Sequence, residues 1–256
     1  MGNVVYEADR DEIIYLWQSS FGDTPDEISL FLDSVKYSFL GLRENGTLVS
    51  QLFLLPRKLQ SGKPVFYLYA ACTVPECRGW GYMSELLGAA EEYSRRNGEE
   101  YIFLLPSDEG LYGFYERFGY QPLCRQKRLR IKTEDVLKIS MTPEYNGIIC
   151  DESLYAYADE MYSGCGYKTF SNANVGIIYE VGNGEFRVTE WHGENFAGAV
   201  KVLAGMENCS EIIIDLPASA SVGADCEIYE MNHGMVLLLN NLDSVDSCFF
   251  LNYVLD

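Results

Sequence analysis

Apolar and polar positions along this chain change period repeatedly, and each change predicts a new element. Between Asp9 and Gln18, the residues Ile13, Ile14, Leu16 and Trp17 fall on one helical face. A second helix is expected to start at Thr24-Pro25-Asp26-Glu27, where Thr caps, Pro fits the first turn and Glu27 completes a capping box. Two extended runs follow, Ser38 to Leu42 and Leu48 to Leu55, and the Asn45-Gly46 dipeptide between them is a hairpin signal. After a turn at Ser61-Gly62-Lys63-Pro64, the aromatic run Phe66 to Val74 reads as a strand. Met83, Leu86, Leu87 and Ala90 then recur at helical spacing. Tyr101 to Leu105 reads as a buried strand, and Gly110 to Tyr120 as a short helix stopped by glycine.

Beyond about residue 134 the pattern partly repeats. A helical stretch near Leu154 to Met161 precedes a strand at Val175 to Val181, a hairpin signal at Gly182-Asn183-Gly184 and a second strand at Glu185 to Trp191. A helix from about Glu194 to Leu203, strands at Glu211 to Asp215 and Cys226 to Glu230, and a strand or helix start at Gly234 to Leu239 complete the series. Two domains are expected, 1–134 and 135–256. The apolar ending Phe249 to Leu255 predicts a terminus tied down in the fold, as an edge strand for example.

Chemistry concentrates where the Phe66 to Val74 strand turns into the next helix, at Arg78-Gly79-Trp80-Gly81-Tyr82-Met83. Two glycines let backbone approach a ligand closely, the first helical amides lack internal partners, and Arg78 adds a fixed positive charge. Such a terminus suits phosphate. The loop is followed at a suitable distance by Phe114-Tyr115-Glu116-Arg117-Phe118-Gly119-Tyr120. In this order and context the two segments resemble the signature of the GCN5-related N-acetyltransferase (GNAT) family, Arg/Gln-x-x-Gly-x-Gly/Ala and then Phe/Leu-Tyr-x-x-x-Gly-Phe/Tyr. Met83 departs from the usual small residue and resembles a two-lobed subgroup of the enhanced-intracellular-survival type. In that subgroup a degenerate second lobe follows the first. Ser107-Asp108 stands where many members have Asn, as it does in that subgroup.

The resemblance implies an α+β fold: a GNAT-type mixed sheet flanked by helices, followed by a degenerate GNAT-like α/β lobe. It implies acetyl-CoA as cosubstrate, held by the backbone at Thr73 and Val74 and by the loop residues Arg78, Gly79, Trp80, Gly81, Tyr82 and Met83. It assigns Tyr115 as general acid to the departing thiolate, with a core aromatic role as the alternative among 19 tyrosines. Through the subgroup's C-terminal carboxylate it nominates Asp256 as base. His192 and His233 are base candidates by residue type, with structural roles as the alternative. The second lobe's Trp191-His192-Gly193-Glu194-Asn195 carries neither arginine nor paired glycines, so that lobe is not expected to bind CoA.

The net charge of −19 is uneven. Residues 1–134 hold 15 Lys/Arg against 19 Asp/Glu, a balance of −4, and residues 135–256 hold 4 against 19, a balance of −15. That acidity argues against nucleic acid and anionic membrane as partners. It suits steering of a cationic amine acceptor, although solubility alone also accounts for it. The one basic run, Arg125 to Lys132, reads as a strand with a charged face, either solvated or touching a CoA phosphate.

No run reaches the ~18 apolar residues of a membrane helix, and the start lacks a secretory pattern. A cytoplasmic protein is the expectation. The 8 cysteines include no C-x-x-C pair and only two histidines accompany them, so no metal is expected. A homo-oligomer is left open. The competing functional reading is a non-catalytic acyl-CoA-binding or regulatory protein that keeps the fold without turnover.

Overall fold

The computed structural model describes residues 2–141, 146–149, 152–193, 195–240 and 249–251. The chain divides into two units, each built on its own sheet. The first comprises residues 2–58, 62–121 and 235–240. Its elements are β1 (Asn3–Val5), α1 (Arg10–Phe21), α2 (Pro25–Ser34), β2 (Ser38–Glu44), β3 (Thr47–Leu59), β4 (Pro64–Thr73), α3 (Tyr82–Asn97), β5 (Tyr101–Leu104) and α4 (Tyr112–Glu116). The capping box forms as expected. Glu27 donates its amide to Thr24 Oγ1 at 3.3 Å, and Glu27 Oε2 accepts from the Thr24 amide at 2.7 Å. The β2–β3 hairpin turns at Asn45 and Gly46, both at positive φ (51° and 85°), the pairing that Asn-Gly favours.

Helices cover both faces of this sheet because β3 is apolar on both. Leu52 and Leu54 join the core that holds Leu86, Leu87 and Ala90 of α3. The opposite face carries Phe53, whose ring lies 5.2 Å from Trp17 of α1 and 5.5 Å from Phe31 of α2.

The second unit comprises residues 59–61, 122–234 and 249–251. It contains β6 (Arg125–Lys132), β7 (Ile139–Ser140), β8 (Asn146–Ile149), α5 (Glu152–Gly164), β9 (Lys168–Asn172), β10 (Val175–Gly182), β11 (Glu185–His192), α6 (Phe196–Met206), β12 (Glu211–Pro217), β13 (Ser221–Val222) and β14 (Glu227–Asn232). Next in the chain, β15 (Met235–Leu238) pairs antiparallel with β5 of the first unit. The chain then supplies β16 (Phe249–Phe250) to the second unit, beside β8. The main sheet of this unit runs β14-β6-β12-β11-β10-β9, with α6 packed on its apolar face. Both units are therefore mixed sheets flanked by helices, an α+β fold.

The division differs from a break after residue 134 in two places. β6 lies before 134 but pairs with β12 and β14 of the second sheet, while β15 lies far beyond it and extends the first. Each sheet gains by this a partner for a strand that would otherwise present open backbone groups. The basic run in β6 is explained by its register. Leu129 and Ile131 are buried in the second core, while Arg128 and Arg130 stand on the other face. Arg128 donates to both oxygens of Asp215 at 2.8 and 2.7 Å, and Arg130 to Glu185 and, at 3.0 Å, to Glu211. These arginines are bound to carboxylates of their own unit.

Candidate active site

A bulge in β4 prepares the site. Gln51 of β3 stands opposite Cys72 and Phe53 opposite Tyr69, so Leu52 faces two residues, Ala70 and Ala71. Ala70 adopts φ +46° to make this possible. On its other edge β4 pairs in parallel with β5 only over Val65 to Tyr67. β5 ends at Leu104, so the C-terminal part of β4, through Thr73, runs on past the residues paired with β5. Thr73 is held at the strand end: its Oγ1 lies 2.7 Å from Ser50 Oγ, which also donates to the Cys72 carbonyl at 2.9 Å. Ser50 is fully buried, and sequence reasoning missed it, because nothing in its local pattern separates it from an ordinary strand serine.

After a 3₁₀ turn at Pro75–Cys77 the chain reaches Arg78, whose Nε donates back to the Thr73 carbonyl at 3.1 Å. Gly79 and Gly81 both lie in the left-handed region, at φ +80° and +88°. A side chain there costs ~1–2 kcal/mol of backbone strain. Among the described residues a Cβ at either position would meet nothing within 4 Å, so the glycines answer to backbone conformation, and the described chain leaves the space above them open. Gly81 is the N-cap of α3 and brings no capping side chain, so the first-turn amides of the helix have no side-chain acceptor at the cap. Trp80, between the glycines, is 68% exposed. Tyr82 is buried in the core, with its ring centroid 6.2 Å from that of Trp80, and Met83 packs against the same core. Asp108 caps the short turn after β5, accepting from the Gly110 amide at 2.7 Å.

Tyr115 sits on α4 in the same core cluster as Tyr82 and Leu86. Its ring is edge-on to Phe114 at 5.2 Å and to Tyr120 at 5.7 Å. Burial pushes its hydroxyl up to about 12, which keeps the phenol protonated at any physiological pH. The Tyr120 hydroxyl is fully buried and has no hydrogen-bond partner among the described residues, and a buried hydroxyl left unpaired costs ~1–3 kcal/mol.

Residues 4–123 match the family model described as an acetyltransferase (GNAT) domain. The first lobe is a GNAT domain. A comparison with curated proteins gave no match. Among solved structures, a probable N-acyltransferase of Enterococcus faecalis V583 is 17% identical, with 93% of this chain covering 73% of that one at a TM-score of 0.68. Eis1 of Mycobacterium abscessus is 12% identical, with 93% and 74% covered and a TM-score of 0.67. A GCN5-related N-acetyltransferase of Kribbella flavida is 15% identical, with 93% and 72% covered and a TM-score of 0.64. At these identities the likeness is one of fold, and it extends over both lobes.

Within the GNAT lobe the glycine loop is open, whereas the second lobe closes the corresponding turn between β11 and α6. A Cβ on Gly193, at φ +96°, would lie 2.0 Å from the Asn174 carbonyl oxygen. Backbone thus occupies the space that stays empty over Gly79 and Gly81. Glu194 lies outside the described residues, as does Asp256. His192 and His233 belong to the second lobe, and burial lowers both below the usual histidine value, so they are neutral at pH 7. The Cys72 thiol is buried against α1, and desolvation pushes it up to about 12, which leaves no useful thiolate. Among the described residues no group of His, Cys, Asp or Glu is arranged to hold a metal.

Proposed function

We propose that this protein is an N-acetyltransferase that moves an acetyl group from acetyl-CoA directly to an amine. The observation that carries this reading is the open Arg78–Met83 loop, with both glycines left-handed at the mouth of α3 and just past the end of β4, inside a GNAT domain. Pyrophosphate would accept hydrogen bonds from the amides of residues 78–83, with Arg78 as the neighbouring cation. The backbone at Thr73 and Val74 would hold the pantetheine arm. The unprotonated amine attacks the thioester carbonyl, the tetrahedral adduct expels the CoA thiolate, and the amine's surplus proton passes to solvent.

Tyr115 acts on the leaving sulfur. With its phenol at about 12 and a thiol near 8.5, complete proton transfer is uphill by about 5 kcal/mol. The phenol therefore serves chiefly as a neutral hydrogen-bond donor to sulfur as charge develops there, and the thiolate takes its proton fully only as it leaves. The acidic 135–256 segment supports a cationic acceptor through steering. Equal rates with neutral and polycationic amines would remove that part of the reading.

A weak acid at Tyr115 also favours a second reading, acyl-CoA binding without turnover. Calorimetric titration with acetyl-CoA, on the native chain and on an Arg78→Ala, Gly81→Asp double variant, tests the donor site. Micromolar binding lost in the variant supports it, and no binding to the native chain sinks both readings. Release of free thiol upon addition of amines then separates enzyme from binder.

A further inference from the structure

At the end of β4 two hydroxyls are linked so that the direction of each hydrogen is fixed. Ser50 Oγ donates to the Cys72 carbonyl at 2.9 Å and lies 2.7 Å from Thr73 Oγ1. We propose that the Thr73 hydroxyl is thereby held as a hydrogen-bond acceptor for an amide N–H of the pantetheine arm of acetyl-CoA, with Ser50 as the positioning residue that sets its polarity. The inference rests on the acetyl-CoA reading above and adds to it a side-chain contact with a defined direction.

A hydroxyl owns one hydrogen and two lone pairs, whereas a carbonyl only accepts. The hydrogen of Ser50 therefore goes to the Cys72 carbonyl, and the contact with Thr73 forms only if Thr73 Oγ1 donates to Ser50 Oγ. The opposite arrangement, Ser50 donating to Thr73, would make one hydrogen bond where this one makes two. Ser50 is fully buried, so bulk water does not make up the difference. Thr73 thus spends its single hydrogen on Ser50 and keeps its lone pairs. Of the two residues only Thr73, half-buried, retains exposed surface.

The backbone at the same place is already engaged within the chain. The Val74 amide donates to the Val49 carbonyl at 2.9 Å, the Val74 carbonyl accepts from the Cys77 amide at 3.0 Å, and the Thr73 carbonyl accepts from Arg78 Nε at 3.1 Å. Each of these carbonyls keeps one lone pair for the backbone contacts assigned above. Thr73 Oγ1, whose hydrogen-bond partner among the described residues is Ser50, adds an acceptor of its own. The pantetheine arm contains two amides and hence two N–H donors. An acceptor of fixed polarity favours such a donor and disfavours a carbonyl oxygen at the same position. A threonine free to rotate would serve either. The hydroxyl pair therefore orients the arm by polarity as well as by shape.

The test is calorimetric titration of the full chain with acetyl-CoA and with 3′-phospho-ADP, which offers its pyrophosphate to the loop but has no pantetheine arm. Thr73→Val, equal in shape and without the hydroxyl, is expected to weaken acetyl-CoA about fivefold, as befits one neutral hydrogen bond, and to leave 3′-phospho-ADP unchanged. Thr73→Ser, which keeps the hydroxyl, should bind acetyl-CoA within about twofold of the native chain. Ser50→Ala leaves Thr73 its oxygen but releases its hydrogen. It should weaken acetyl-CoA about threefold or more with 3′-phospho-ADP again unchanged, and it decides the matter should Thr73→Val fail to fold. Acetyl-CoA affinity unchanged in both Thr73→Val and Ser50→Ala would overturn the inference and leave the acetyl-CoA reading standing. Equal losses for the two ligands would also overturn it, because the substitution would then act on the loop through the bond between Arg78 and the Thr73 carbonyl. No binding of acetyl-CoA to the native chain would remove the underlying reading and the inference with it.

Discussion

Three glycines of the first lobe allow a controlled test of the donor site. Gly79, Gly81 and Gly98 all sit at positive φ, +80°, +88° and +80°, and a Cβ at any of them meets nothing within 4 Å among the described residues. Gly81 caps the start of α3 and Gly98 its end. Alanine at each position loses no packing and meets no clash, so its cost is the left-handed backbone alone, ~1–2 kcal/mol, reduced slightly by the lower entropy of the unfolded chain. Gly81→Ala and Gly98→Ala should therefore lower stability by a similar amount, about 1 kcal/mol, or a melting shift of ~2–4 °C. Their effects on ligand should differ. The Cβ at 81 enters the open space over the loop and disturbs the amides offered to pyrophosphate, whereas the one at 98 lies a helix length away. Differential scanning calorimetry gives the first quantity and titration with acetyl-CoA the second. The expected result is a loss of tenfold or more in affinity for Gly81→Ala, and for Gly79→Ala, with Gly98→Ala unchanged. Equal losses at both helix ends would refute the argument, because affinity would then follow helix stability rather than loop shape.

Tyr115→Phe should lower kcat by ~10²–10³ and leave acetyl-CoA affinity unchanged, read from initial rates and titration. With the phenol raised to about 12, wild-type kcat/KM should climb with pH as the amine deprotonates and show no descending limb below pH 10; a fall there would mean that a different acid works in the site. Cys72, raised to about 12 and buried, should resist iodoacetamide at pH 8 while the exposed Cys165 reacts, as resolved by peptide mass spectrometry. Thr24→Ala removes one side of the α2 capping box and should cost ~1 kcal/mol in a denaturant melt, with no change in acetyl-CoA binding.

Local features were legible in the sequence because their causes are local. The capping box at Thr24 and Glu27 and the Asn45-Gly46 turn need only residues a few places apart, and both formed. The Arg78–Met83 loop was readable for the same reason: its glycines meet a backbone requirement that is complete within six residues. The helical spacing of Leu86, Leu87 and Ala90 placed their face of α3 in the core. What the tertiary structure decided is of another kind. An apolar strand records that it will be buried but not beside which partner. β6 could therefore join the second sheet and β15 the first, the latter pairing with a strand more than a hundred residues earlier in the chain. The bulge at Ala70, the buried Ser50 that fastens Thr73, and the raised values of Tyr115 and Cys72 all depend on what surrounds each group. The contrast between the open space over Gly81 and the backbone pressed against Gly193 is of this kind too. Two glycines at positive φ, +88° and +96°, differ in their surroundings because only one of them has room beside it.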